Sequence, residues 1–167
     1  MRSALFLFAA LSERDIAWLA RAGTIRHFAP GETLIRRGDA QDALLVLLDG
    51  AVRVETSAGG PIALRRPGEC LGEVSLVDTR PASTDVVAAE PVRALRLGGD
   101  VLRQRLEADT GFAARFWRGL AILLANRLRE VAQAVTDDTD AFTLDDTMLD
   151  GMARAGEKFR LLLDHTG

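Results

Sequence analysis

The stretch with the densest chemical content is GECLGEVSLVDTRPASTDVVA, Gly68 to Ala88. A Gly-Glu pair opens a short turn of small and apolar residues. A loop with Arg-Pro follows, and then an alternating strand, an order suited to enclosing something small. Other chemistry is poorly supplied. His27 and His165 are isolated, and no His-x-His, clustered Cys or Glu-x-x-His spacing exists to hold a metal, so His27 reads as an ordinary strand histidine. No Walker loop, Gly-x-Ser-x-Gly or dinucleotide fingerprint occurs. Cys70 lies in an apolar stretch with no neighbouring base and reads as a packed thiol. The chain is expected not to be an enzyme and to need no cofactor.

Placing such a turn takes a scaffold of strands. From Thr24 to Leu97 the chain runs in short, roughly alternating segments: TIRHFA, ETLIRR, DALLVLL, AVRVETS, PIALRR, TDVVAAE and PVRALRL. Between them lie Pro30-Gly31, Gly38-Asp39, Asp49-Gly50, Gly59-Gly60, Pro67-Gly68 and Pro91. Many short strands at regular spacing predict a sandwich or barrel. Asp49-Gly50 between apolar runs is the strongest local hairpin signal, and SAGGPIA is a looser second one.

Helical spacing flanks the strands on both sides. Ser12 caps Glu13 to Ala22 with Asp15 as the acid of a capping box, Ile16 and Leu19 share a face, and Gly23 ends the segment. Gly98-Gly99-Asp100 begins VLRQRLEAD, and Thr110-Gly111 separates it from a long helix, Phe112 to Val135, which spans about 36 Å at 1.5 Å per residue. Its first half is apolar on most sides, and its second narrows to Leu124, Leu128, Val131 and Val135, so it needs two surfaces to bury against. Phe116 and Trp117 read as core or interface aromatics. After the polar break TDDTD, a last amphipathic segment places Leu144, Met148, Met152, Ala155, Phe159 and Leu162 on one stripe. Thr143 and Asp146 form its capping box, and Gly151 and Gly156 are its weak points. The expected organisation is a unit of residues 1–135 followed by a linker and short helix, 136–167.

Composition narrows the partners. The 167 residues, 48% of them hydrophobic, suffice for a sizeable core. The net charge of −3 comes from 21 basic and 24 acidic residues spread along the chain, so no basic face for nucleic acid is expected. A single cysteine excludes an internal disulfide and suits the cytoplasm. The apolar run in MRSALFLFAA lacks a cleavage site and is too short to span a bilayer, so neither export nor a membrane partner is expected.

In order along the chain, LFAALSERDIAWLA, FAPGETLIRRGDAQDALLVLLDGAVRV and RPGECLGEVSLVDTRPASTDVVA, followed by the long helix, resemble the cyclic-nucleotide-binding domain of the catabolite activator protein, kinase regulatory subunits and channels. Pro-Gly-Glu, Gly-Asp, Leu-x-Gly and Gly-Glu-x-x-Leu all occur in order, over about Leu5 to Val135. The resemblance implies a mainly β fold, an eight-stranded jelly-roll (double-stranded β-helix) barrel with flanking N- and C-terminal helices. It implies a cyclic nucleotide as ligand and a homodimer formed through 112–135. It also implies a phosphate-binding turn built from Leu71, Gly72, Glu73, Val74 and Ser75, facing loop residues Arg80, Ala82, Ser83 and Thr84. A helix N-terminus with unpaired N–H groups suits a phosphate monoanion there, and by resemblance Glu73 accepts from the ribose 2′-hydroxyl.

One position departs from the family pattern. The motif continues as Pro-Arg-Ser/Ala-Ala, its arginine neutralising the phosphate, whereas this chain reads Pro81-Ala82-Ser83-Thr84. The lost charge-assisted hydrogen bond is worth about 1.5–3 kcal/mol, roughly ten- to hundredfold in affinity. Arg80, two residues earlier, either swings in or stays in solvent, and Glu73 either holds a sugar hydroxyl or caps nearby backbone N–H groups. The expected function is a stand-alone regulatory sensor binding cAMP or cGMP weakly or in altered fashion. The alternative is a degenerate, non-binding adaptor that dimerises and meets an unidentified protein partner. The segment 136–167 offers one helix pattern where a winged helix-turn-helix needs three, so direct DNA binding is not expected.

Overall fold

The computed structural model describes residues 4–55, 61–78, 80–136 and 146–166. Two helices open the chain, α1 (Ala4–Ala10) and α2 (Glu13–Ala22). The strands β1 (Thr24–Phe28), β2 (Thr33–Ile35), β3 (Ala43–Asp49), β4 (Val52–Glu55), β5 (Pro61–Arg65) and β6 (Cys70–Leu71) follow. Then come the one-turn helix α3 (Ser75–Asp78), β7 (Asp85–Ala88), β8 (Val92–Gly98), α4 (Gly99–Ala108), α5 (Thr110–Thr136) and α6 (Asp146–Thr166). Each of the seven runs expected to be extended contains a strand. The eighth strand, β6, is two residues long and lies inside GECLGEV, where its Gly and Glu neighbours hide it from any alternation pattern.

The strands form two antiparallel four-stranded sheets, ordered β1-β8-β3-β6 and β2-β7-β4-β5. A strand alternates its side chains between two faces, and β3 is buried on both. Leu45 and Leu47 enter a core with Ile35, Val52, Leu71, Val86 and Val92. Leu44, Val46 and Leu48 enter a larger core with residues of α1, α2, α4, α5 and α6. The expectation of a mainly β, closed eight-stranded jelly-roll barrel is therefore corrected. Among the described residues no ladder joins one sheet to the other, the sheets are open, and helices hold about twice as many residues as strands, a mixed α/β architecture. The helices won because the outer face of the β3 sheet is as apolar as its inner one and needs a covering layer.

Asp49-Gly50 also plays a different part from the one its dipeptide suggests. It does not close a β3–β4 hairpin, since β3 pairs with β8 and β6 while β4 pairs with β5 and β7. The turn carries the chain from one sheet to the other. Gly50 has φ +81°, and a Cβ there would lie 2.2 Å from the Pro91 carbonyl oxygen, so the glycine serves a close backbone crossing. The looser signal did mark a pair, because β4 and β5 are antiparallel neighbours; the Gly59-Gly60 turn itself lies outside the described residues.

The helix boundaries follow their caps. Ser12 Oγ accepts from the Asp15 N–H at 3.2 Å, and Asp15 Oδ2 accepts from the Ser12 N–H at 2.9 Å, closing the expected capping box of α2. The same buried carboxylate accepts from Arg115 of α5 at 2.7 and 3.0 Å, fastening α2 to the long helix. The N-terminal apolar run forms the separate helix α1, with Leu5 to Phe8 buried. In α5, Phe112, Phe116, Leu120 and Leu123 are buried, and at Gly119 a Cβ would sit 3.0 Å from Leu7, so α1 and α5 approach closely there. Ala155, Phe159 and Leu162 of α6 are buried as its stripe predicts, with Phe159 stacked 6.0 Å from Phe8. Thr143 and Leu144, and the side chains of Met148, Met152, Val131 and Val135, lie outside the described residues.

Candidate functional site

Pairing with the middle of β3 holds β6 in place, Leu71 opposite Leu45 and Cys70 opposite Val46. The chain then turns sharply. Gly72 has φ +80°, and a Cβ would stand 2.5 Å from the Ala43 carbonyl oxygen and 3.2 Å from the Gln41 side chain, so only glycine lets the turn lie against the start of β3. Glu73 and Val74 lead into the single turn of α3, closed by the Val77 N–H donating to the Val74 carbonyl at 2.9 Å. The returning loop is pinned across the opening: the Ala82 N–H donates to Asp39 O at 3.0 Å, and the Gly38 N–H donates to Ala82 O at 2.8 Å. Between turn and loop lies a cavity of about 370 Å³. All nine residues singled out from the sequence, Leu71 to Ser75, Arg80 and Ala82 to Thr84, line it. Ile35, Val54 and Val86 supply apolar wall, and Gln41 a polar one.

The charged groups are arranged differently from the expectation. Glu73 is buried, and its partner among the described residues is a side chain and not a backbone cap. Its carboxylate accepts from Nη1 of Arg127, a residue of α5 54 positions away. Arg127 Nη2 donates to the Cys70 carbonyl at 2.5 Å and lies 3.6 Å from Glu69, a second buried acid. Burial works against the Arg127 charge, but the fields of Glu73 and its neighbours outweigh it and hold the guanidinium above its ordinary pKa. Farther out, Arg65 bridges Glu69 at 3.8 Å and Glu130 of α5 at 3.6 Å. The C-terminal half of α5 is thus clasped to the turn by charge.

Arg80 is a lining residue whose guanidinium is turned out to solvent. Its side chain is 82% exposed, and its Nε donates to Asp78 Oδ2 at 2.6 Å, a hydrogen bond that holds the Asp78 carboxyl below the usual range. Of the two roles left open for Arg80, the structure has the solvent-facing one. Ala82 is half-buried against the inter-sheet core, Ser83 is exposed and Thr84 half-buried. Burial pushes the Cys70 thiol well up, which leaves it inert as a nucleophile. Phe116 is core; Trp117 packs its edge on Phe116, is 42% exposed, and does not line the cavity.

Arg127 is the residue that sequence reasoning missed. On its own helix it looks like any polar residue of NRLREV. The signal lay in GECLGEV, where two acids four residues apart sit in a stretch that must pack inside: acids there need a cation from elsewhere in the chain.

Residues 25–109 match the family model for the cyclic nucleotide-binding domain, about half of the chain, and the chain belongs to that family. Glutaminase 2 of Bradyrhizobium diazoefficiens is 35% identical over 124 residues, covering 73% of this chain and 19% of that protein. The cyclic AMP receptor protein of Thermus thermophilus is 36% identical over 109 residues, covering 63% of this chain and 49% of that one. The chain thus spans about a fifth of the first relative and about half of the second. A cyclic nucleotide-binding domain from Methylobacillus flagellatus superposes with a TM-score of 0.71 at 27% identity, over 80% of this chain and 78% of that one. These matches describe a regulatory, cyclic-nucleotide-binding-like domain. Among the described residues there is no cluster of His, Cys, Asp and Glu that could hold a metal, and no helix long and apolar enough to cross a membrane.

Proposed function

We propose, from membership of that family, that the chain is a cytoplasmic ligand-sensing regulatory domain whose cavity between α3 and the loop Arg80–Thr84 takes a nucleoside-based ligand and whose α5 passes occupancy on. The observation that carries this is the composition of the cavity wall: the turn, the loop and Arg127 of α5 line one space, so a ligand on Glu73 and the present position of α5 are coupled. Cyclic nucleotides bind weakly in this reading. Ala82 offers no counter-charge and Arg80 is held outside on Asp78, which costs roughly ten- to hundredfold relative to a cassette with its arginine.

Calorimetry with cyclic AMP and cyclic GMP tests it. Dissociation constants between about ten micromolar and one millimolar are expected, and Ala82→Arg is expected to tighten them by about ten- to hundredfold. Silence of both wild type and Ala82→Arg at millimolar ligand, the parent nucleosides included, would sink the sensor and leave the second reading, a non-binding adaptor. The pairing of Arg127 with Glu73 favours that second reading, because it fills the acceptor a sugar would use.

In either reading α5 is the surface that meets a second copy. Trp117, Ala121 and Leu128 are exposed, Leu124 is half-buried, and the four recur on one face of the helix, with Leu128 70% exposed. A two-fold dimer along this stripe covers it. Light scattering is expected to give a dimer for the wild type and a folded monomer for Leu128→Asp. A wild-type monomer at all concentrations would remove the dimer.

A further inference from the structure

Two arginines, Arg80 and Arg127, and two acids, Glu73 and Asp78, are among the lining residues, with the Arg80 guanidinium turned to solvent. Each cation already lies on one of those acids. Arg80 Nε is 2.6 Å from Asp78 Oδ2, and its backbone N–H donates to Asp78 Oδ1 at 3.2 Å. Arg127 lies on Glu73. In the next shell outward Glu69 lies 3.8 Å from Arg65 and 3.6 Å from Arg127, and Glu130 lies 3.6 Å from Arg65. Each of the two lining arginines is therefore matched by a lining carboxylate. An anion entering would lose its water and either stay uncompensated or break a standing pair, leaving a carboxylate behind. The one turn of α3 adds too short a dipole to change that outcome.

A neutral ligand brings no charge that must be stripped of water and left without a partner, and the walls suit one. Ile35, Val54, Leu71 and Val86 give flat apolar contact for a ring system. Glu73 can accept ligand hydroxyls in exchange for its bond to Arg127, and Ser75 and Thr84 contribute two further hydroxyls. The volume of about 370 Å³ is at the small end for a ligand pocket and suits a ligand of nucleoside size.

We propose that the ligand of this cavity is an uncharged nucleoside, and that a cyclic phosphate adds nothing to its binding. This rests on the reading of the site as a nucleoside-based sensor and specifies the charge of what it senses. The discriminating measurement is calorimetry on the full 167-residue chain with adenosine, guanosine, cyclic AMP and cyclic GMP side by side. Each nucleoside is expected to bind at least as tightly as its own cyclic phosphate. A cyclic nucleotide that binds tenfold or more tighter than its nucleoside overturns this inference and leaves the sensor reading standing; if none of the four binds at millimolar concentration, both fall. A second arm addresses the cause. Asp78→Asn removes the acid that holds Arg80 and is expected to shift the ratio of affinities toward the cyclic phosphate by about three- to tenfold, the size of one partly screened charge. A ratio that does not move would overturn the charge-balance argument.

Discussion

Removing the Arg127 guanidinium tests whether charge holds α5 against the ligand turn. Arg127→Met keeps most of the side chain's length and deletes its hydrogen bonds to Glu73 and to the Cys70 carbonyl, and its 3.6 Å approach to Glu69. Glu69 and Glu73 are each 4% exposed; Glu69 keeps Arg65 at 3.8 Å, and Glu73 loses the cation that lies on it. Breaking such a pair in place costs about 3–5 kcal/mol. The protein has a cheaper way out: if the end of α5 lifts, both acids regain water, and the loss is limited to the docking energy of that segment. Denaturant titration is therefore expected to show a loss of about 1.5–3 kcal/mol, below the full pair-breaking figure. Hydrogen exchange is expected to accelerate in the part of α5 beyond Leu124, with β3 and β8 unchanged. Glu73→Gln alone should do likewise. The double variant should recover at least 1 kcal/mol relative to the sum of the two, because it removes both charges together. Additivity within about 0.5 kcal/mol, with α5 exchange unaltered, would refute the clasp.

Three further outcomes follow from local geometry. Gly72→Ala forces a Cβ to 2.5 Å from the Ala43 carbonyl at φ +80°, and is expected to cost more than about 2 kcal/mol in denaturant titration and to abolish ligand binding. Asp15 is held below its ordinary pKa: burial pushes it up, but the hydrogen bonds from Arg115 and Ser12 more than offset that. A depressed folded pKa gives stability that is present above the unfolded value of about 4 and lost as pH falls through the folded one, so the deficit of Asp15→Asn should be about 1.5–3 kcal/mol at pH 7 and shrink below pH 4; a deficit constant from pH 7 to 2.5 would count against it. Gly119→Leu drives a side chain into the backbone of α1 at Leu7, where a Cβ alone already stands at 3.0 Å, and thermal melts should fall by several degrees if that crossing is rigid.

What the sequence showed and what it hid divide along one physical line. Period and punctuation report local structure, and they placed the seven longer strands, the Ser12 capping box and the long helix close to their observed ends. The residues from Leu71 to Thr84 were legible as one site because they are nearly contiguous, so a turn and a loop suffice to bring them together. Strand partners depend on the whole chain. Asp49-Gly50 looked like a hairpin because its dipeptide satisfies the backbone demand of one, yet the same positive φ serves a chain passing from sheet to sheet. The expected closed barrel failed in the same way: β3, apolar on both faces, can equally be an inner barrel strand or the middle of a sheet under helices, and only the packing of α1, α5 and α6 decides.

The arrangement of α5 also fixes how far a signal from the cavity can travel. Its N-terminal half is locked by Phe112, Phe116, Leu120 and Leu123 in the larger core and by the Arg115–Asp15 pair. Moving it would mean opening apolar contacts worth about 1.5–3 kcal/mol for each large side chain. Beyond Leu124, itself packed against the larger core, the described anchors are different in kind: Arg127 on Glu73, Glu69 and the Cys70 carbonyl, and Glu130 at 3.6 Å from Arg65. Polar anchors can be exchanged for water or for ligand hydroxyls at little net cost, whereas apolar ones cannot. A ligand that takes Glu73 can therefore release only the far end of the helix, with the hinge near Leu124. Leu128, the most exposed large apolar residue among the described residues of α5, lies on that releasable end, so in the proposed dimer occupancy of the cavity and burial of Leu128 against a second copy influence one another. Dimer strength measured by sedimentation should change in saturating adenosine for the wild type and stay constant for Arg127→Met, whose helix end is already free. Equal ligand dependence in both proteins would show that the signal bypasses Arg127.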